Sequence, residues 1–274
     1  MSDLAESRRN SADDDPRPLV LYFVLAYGVS LVLWLPMLLG RSRSLFALSI
    51  GTYGPTLAAL ATHWIFTRNW RAVQIWTTLP RFLLGLAGGV SAVLAAAFLA
   101  AFLMTKSGFD RWQWRALVQI LTFFGPNLLG GPLGEEAGWR GFALPRLQNR
   151  FNPVGSSLIL GFLWANWHVP LMLAHVYNVT WWQFVPVTMA ASVFLSYGFN
   201  RSAGGTLCAV VVHGFYNIAT GIILNDFIGK AILRSNPVQH NIFWMAYVAV
   251  AVLLCIVTKG RLGLCPNAAK VRNP

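Results

Sequence analysis

GPNLLGGPLGEEAGWRGF, residues 125–142, decides how this chain is read. Two adjacent carboxylates, Glu135 and Glu136, stand in it among glycines and behind Pro126 and Pro132. The apolar stretch around them runs from about 116 to 145, longer than the roughly 20 residues that cross a hydrocarbon core. Each proline removes a backbone donor and the glycines loosen the helix, so this backbone has to be sheltered by protein or water. A charge at mid-bilayer costs roughly 2.5 to 3.5 kcal/mol even on permissive scales. The pair therefore requires an arginine partner, a proton, a metal or a water-filled cavity. Arg140, four residues after Glu136, lies on the same helical face and can neutralise it. A plain internal ion pair would account for Glu136 in this way, but it leaves Glu135 without a partner.

The rest of the chain is equally apolar. Its 274 residues are 56% hydrophobic and 11% charged, with a mean hydropathy of +0.54, whereas soluble domains carry roughly a quarter charged residues. Eight spans are expected, at about 19–40, 45–66, 82–104, 116–145, 154–174, 181–199, 203–225 and 241–258. The expected fold is an all-α, polytopic transmembrane bundle. Residues 1–18 form a polar mobile tail, 19–258 the membrane domain and 259–274 a basic tail. The first apolar run is too long for the central region of a cleaved signal and is read as a retained span.

The net charge of +12 does not point to nucleic acid, because the basic residues fall between and beside the spans as topology signals. With eight spans both termini share one side. That side holds Arg68, Arg71, Arg81, Arg146, Arg150, Arg201 and Lys259, against Arg41, Arg43, Lys106, Arg111, Arg115, Lys230 and Arg234 on the other. Together with the basic residues of the tails, this places both termini in the cytoplasm of a multi-pass cell-membrane protein. Most of the twelve tryptophans, Trp181, Trp182 and Trp244 among them, suit interfacial belts. Cys208, Cys255 and Cys265 have no CxxC spacing and give neither a thiolate metal cluster nor a disulfide framework.

Of nine acidic residues, five lie in the N-terminal tail and Asp110 and Asp226 near span ends, so Glu135 and Glu136 are the two placed deep in apolar sequence. The fifth span, FLWANWHVPLML, carries His168 ahead of Pro170, and the seventh, AVVVHGFYNIATG, carries His213 and Asn217 on one face. Alone, His168 is as readily a hydrogen-bonded structural residue as a ligand or base. Counted from the basic side, Glu135, His168 and Asn217 each lie about 14 or 15 residues deep, roughly 21 Å along a straight helix. His213 is one turn shallower. The site is thus expected between the fourth, fifth and seventh spans.

Amide hydrolysis needs an activated water, a proton donor for the leaving nitrogen and stabilisation of an oxyanion. A carboxylate in a low-dielectric surrounding is a better proton acceptor than one in water, which suits Glu135 to act as general base with His168. His213 and Asn217 would face the oxyanion, and Glu136 with Arg140 would support the segment carrying Glu135. The same residues allow a second version, in which Glu135, His168 and His213 bind zinc and a metal-bound water attacks. The HExxH signature is absent, and the residues alone leave metal and metal-free chemistry equally open.

The ordered series Glu135-Glu136-x-x-x-Arg140, Trp164-x-x-x-His168-x-Pro170 and His213-x-x-x-Asn217 resembles the three motifs of the CPBP intramembrane protease family, which includes CAAX prenyl endopeptidases and bacteriocin-processing and immunity proteins. The resemblance covers about residues 116–225. It implies an intramembrane peptidase acting on a peptide or membrane-protein substrate, with Glu135, His168, His213 and Asn217 active and Glu136 and Arg140 in support. Trp164 departs from the pattern, which usually has Phe there. Two other readings of a buried Glu/His set are a proton-coupled carrier, for which no inverted repeat is apparent, and a non-catalytic immunity or scaffold protein.

Overall fold

The computed structural model describes residues 15–42, 44–105, 114–177, 179–223 and 237–264. The tail as far as residue 14, Arg43, Lys106, Asp110, Arg111, Asp226, Lys230, Arg234, Cys265 and the chain beyond 264 lie outside the described residues. Among the described residues every regular element is helical: α1 Arg17–Leu38, α2 Leu45–Gly51, α3 Gly54–Thr67, α4 Leu79–Thr105, α5 Trp114–Leu129, α6 Pro132–Glu136, a π-helical turn Ala137–Ala143, α7 Leu144–Gln148, α8 Pro153–Trp167, α9 Val169–Leu173, α10 Trp181–Arg201, α11 Thr206–Ile218, a second π-helical turn Ala219–Ile223, and α12 Pro237–Val257. Four stretches, Arg17–Leu38, Leu45–Thr67, Leu79–Leu103 and Pro153–Leu173, are long and apolar enough to cross a membrane. The all-α bundle expected from the sequence is the fold observed.

Local chemistry sets the helix ends. Asn152 caps α8, its side chain accepting from the Gly155 amide at 2.8 Å, and Pro153 occupies the first turn, where a missing N–H costs nothing. Thr180 and Gln183 form a capping box at the start of α10. This helix is the axis of the molecule: it packs against α4, α8, α11 and α12, and most of its residues are buried. Close approach rests on small residues. A Cβ on Gly161 of α8 would come within 2.7 Å of the Met189 backbone in α10.

The expected fourth span is not one rod. Its helix ends at Leu129, restarts at Pro132 for five residues, widens into the π-helical turn and resumes as α7. The physical cause is the Gly130-Gly131-Pro132 sequence, which cannot sustain an unbroken ladder of hydrogen bonds. The carbonyls of this stretch are met by α3 and by the two residues between α2 and α3. Tyr53 Oη donates to the Leu129 carbonyl at 3.0 Å and Thr56 Oγ1 to the Gly134 carbonyl at 2.7 Å. Protein thus shelters the irregular backbone. The fifth span also breaks, at His168, between α8 and α9.

Four tryptophans do not serve as interfacial anchors. Trp34, Trp139, Trp164 and Trp167 are buried, and Trp167 packs on Trp34 and Trp139 with ring centroids 4.7 and 5.7 Å away. Trp182 is exposed, as expected of an anchor. Cys208 is buried and Cys255 partly so, both as free thiols.

Candidate active site

Glu135 and Glu136 follow each other on α6, so their side chains leave the helix about 100° apart. That rotation separates their surroundings. Glu136 turns into the protein, where Oε1 accepts from Arg140 Nη1 at 2.8 Å and from His213 Nδ1 at 2.8 Å. All three side chains are buried, and Glu136 and Arg140 fully so. Glu135 turns towards a cavity of about 180 Å³ that is also lined by Trp164, His168, His213, Tyr216 and Asn217. Three separate segments therefore bring the predicted residues to one space.

Each group is held by a neighbour. Trp164 Nε1–H donates to Glu135 Oε2 at 2.7 Å. His168 Nδ1 lies 2.8 Å from the Trp164 carbonyl oxygen, which can only accept, so Nδ1 carries the proton and Nε2 of the neutral ring keeps its lone pair. By the same reasoning His213 donates Nδ1–H to the Glu136 carboxylate. Arg140 Cζ stands 4.6 Å over the Trp164 ring, whose edge-on neighbour is His213 at 5.0 Å. Glu136 and Arg140 thus connect the first motif to the second and third instead of merely cancelling each other.

One participant was not singled out from the sequence. Asn127 in α5 accepts from Asn217 Nδ2 at 3.1 Å and donates its own amide to the Gly214 carbonyl at 3.1 Å. The second bond fixes which end of Asn127 faces Asn217. Its one signal in the sequence is a polar amide beside Pro126 in an apolar span. Tyr177 and Phe184 also reach the site, with ring centroids 5.7 and 5.1 Å from His168.

The geometry lends the zinc version no support. Among the described residues no three His, Cys, Asp or Glu side chains converge closely enough to hold a metal ion. Glu135 Oε2 and the Nδ1 atom of each histidine are held by protein partners, which leaves Glu135 Oε1 and the two Nε2 atoms for chemistry.

The architecture is that of a helical membrane protein with ionisable groups gathered at a broken helix. Comparison with known proteins narrows this class. Residues 117–219 match the family model described as type II CAAX prenyl endopeptidase Rce1-like. Over 93 residues the chain is 25% identical to CAAX prenyl protease 2 of Methanococcus maripaludis, a match covering 31% of this chain and 34% of that protein. The chain thus spans about a third of the curated relative it matches. Residues 117–219 contain all three motifs, and the resemblance to the CPBP family is borne out there.

Proposed function

We propose that the protein is an intramembrane endopeptidase of the CAAX type, a multi-pass protein of the cell membrane with both termini in the cytoplasm. The observation that carries this reading is the convergence of Glu135, His168, His213 and Asn217 on one cavity. With Oε2 engaged by Trp164, Glu135 has Oε1 left to accept a proton from water, and His168 offers the Nε2 lone pair to the same water. The water oxygen attacks the scissile carbonyl, and the oxyanion accepts from the second Nδ2–H of Asn217. His213 has its Nδ1–H committed to Glu136, so it donates from Nε2 when the ring carries both protons. Glu135 then returns the proton to the leaving nitrogen as the C–N bond breaks.

The test uses purified protein in liposomes and a quenched peptide with a farnesylated CAAX end, beside its unprenylated counterpart. Wild-type protein is expected to cleave at least one. Glu135→Gln and His168→Ala should each lose about a hundred- to ten-thousandfold in kcat, with unchanged thermal unfolding. Full activity in either variant, or no cleavage of either peptide by wild type, overturns the reading. Activity should also survive exhaustive dialysis against a chelator, and its loss with restoration by zinc would reinstate a metal.

A further inference from the structure

Trp164 stands where the sequence departs from the resembling motif, and it contacts Glu135, Arg140, His168, His213 and Tyr216. We infer that its indole N–H is a positioning group for Glu135, holding Oε2 so that Oε1 alone is presented to water; this rests on the peptidase reading.

Buried indoles usually find a hydrogen-bond partner, so the bond needs weighing against ordinary packing. Among the described buried indoles the outcome is divided, and Trp34 Nε1–H donates to the Leu48 carbonyl at 2.9 Å. Trp139 Nε1 and Trp167 Nε1 are buried with no partner, while Trp164 Nε1–H is aimed at a carboxylate oxygen 2.7 Å away. The Arg140 guanidinium over the ring face draws electron density from the indole and makes its N–H a stronger donor. The backbone carbonyl of the same residue orients His168. Trp164 thus sets the direction of the carboxylate through its side chain and of the imidazole through its main chain. Phenylalanine, the usual residue in the family motif, would keep a ring beneath Arg140 but supply no donor. The orientation of Glu135 is therefore a property of this chain that the motif does not carry.

The experiment replaces Trp164 by benzothienylalanine through codon suppression, which exchanges the N–H for sulfur and keeps the bicyclic shape. In the peptide assay kcat should fall about tenfold with KM within about twofold of wild type, the pattern of an interaction made for the reaction and not for binding. Trp164→Phe should lose at least as much. A second readout needs no turnover. In protein with 15N-labelled tryptophan, the Trp164 indole resonance, assigned by its loss in Trp164→Phe, should shift on Glu135→Gln. Wild-type kcat in the benzothienylalanine protein, or an indole resonance unmoved by Glu135→Gln, overturns the inference. Full cleavage by Glu135→Gln with a shifted resonance would instead strike the peptidase reading and leave the hydrogen bond standing.

Discussion

Glu136 and Arg140 illustrate how far a single pair can be read. Their spacing predicts the ion pair, and the pair forms at 2.8 Å with both side chains fully buried. What the spacing does not contain is His213, which adds a second bond to the same carboxylate oxygen from a helix 77 residues away. Removing one partner of such a pair leaves an uncompensated buried charge. Arg140→Leu is therefore expected to destabilise the protein by about 3–5 kcal/mol, measured by thermal unfolding in detergent. Glu136→Gln combined with Arg140→Met should recover most of that stability because no charge is stranded. Activity should stay low, since His213 loses the carboxylate that orients it. A double variant as active as wild type would show that the pair serves stability alone. Asn127→Leu, which removes the acceptor that orients Asn217, should lower kcat by about tenfold with little change in KM.

At the level of elements, the broken fourth segment shows why motif order was legible and local geometry was not. Pro126, Pro132 and the glycines announce irregular backbone, and the need for shelter follows from the cost of unpaired backbone groups in lipid. The identity of the shelter does not follow. Tyr53 and Thr56 reach the freed carbonyls from the residue ahead of α3 and from its first turn, though nothing in their own stretch marks them as partners of residues almost eighty positions on. Tyr53→Phe together with Thr56→Val should destabilise by about 2 kcal/mol, near 1 for each lost hydrogen bond. The loss is measurable as a lowered unfolding midpoint. Gly138 makes a parallel case. A Cβ there would collide with the backbone and ring of Pro55, so Gly138→Ala should force α3 away from the π-helical turn and cost about 1–3 kcal/mol. The depth estimate made from straight helices nevertheless places Glu135, His168 and Asn217 at one level, and all three line one cavity.

Across the whole molecule, composition and run length are enough for an all-α membrane bundle, because lipid leaves a single chain few ways to satisfy its backbone. The ionisable residues were conspicuous for the same reason: in a chain so poor in charge, a buried carboxylate costs too much to be incidental. Sidedness belongs to this scale as well. On the proposed orientation, cysteines introduced at Arg150 and Lys259 should react with a membrane-impermeant reagent from the cytoplasmic face and one at Ser42 from the opposite face. The reverse pattern would overturn the assigned orientation. Residue types, their order and their approximate depth were thus set by the chain itself, since these follow from solvent, hydropathy and helical rise. Which carboxylate faces the cavity and which is locked to Arg140 and His213, which nitrogen of each histidine is free, and which indole finds an acceptor were decided by tertiary structure, because each depends on the angle at which a distant helix presents its side chains.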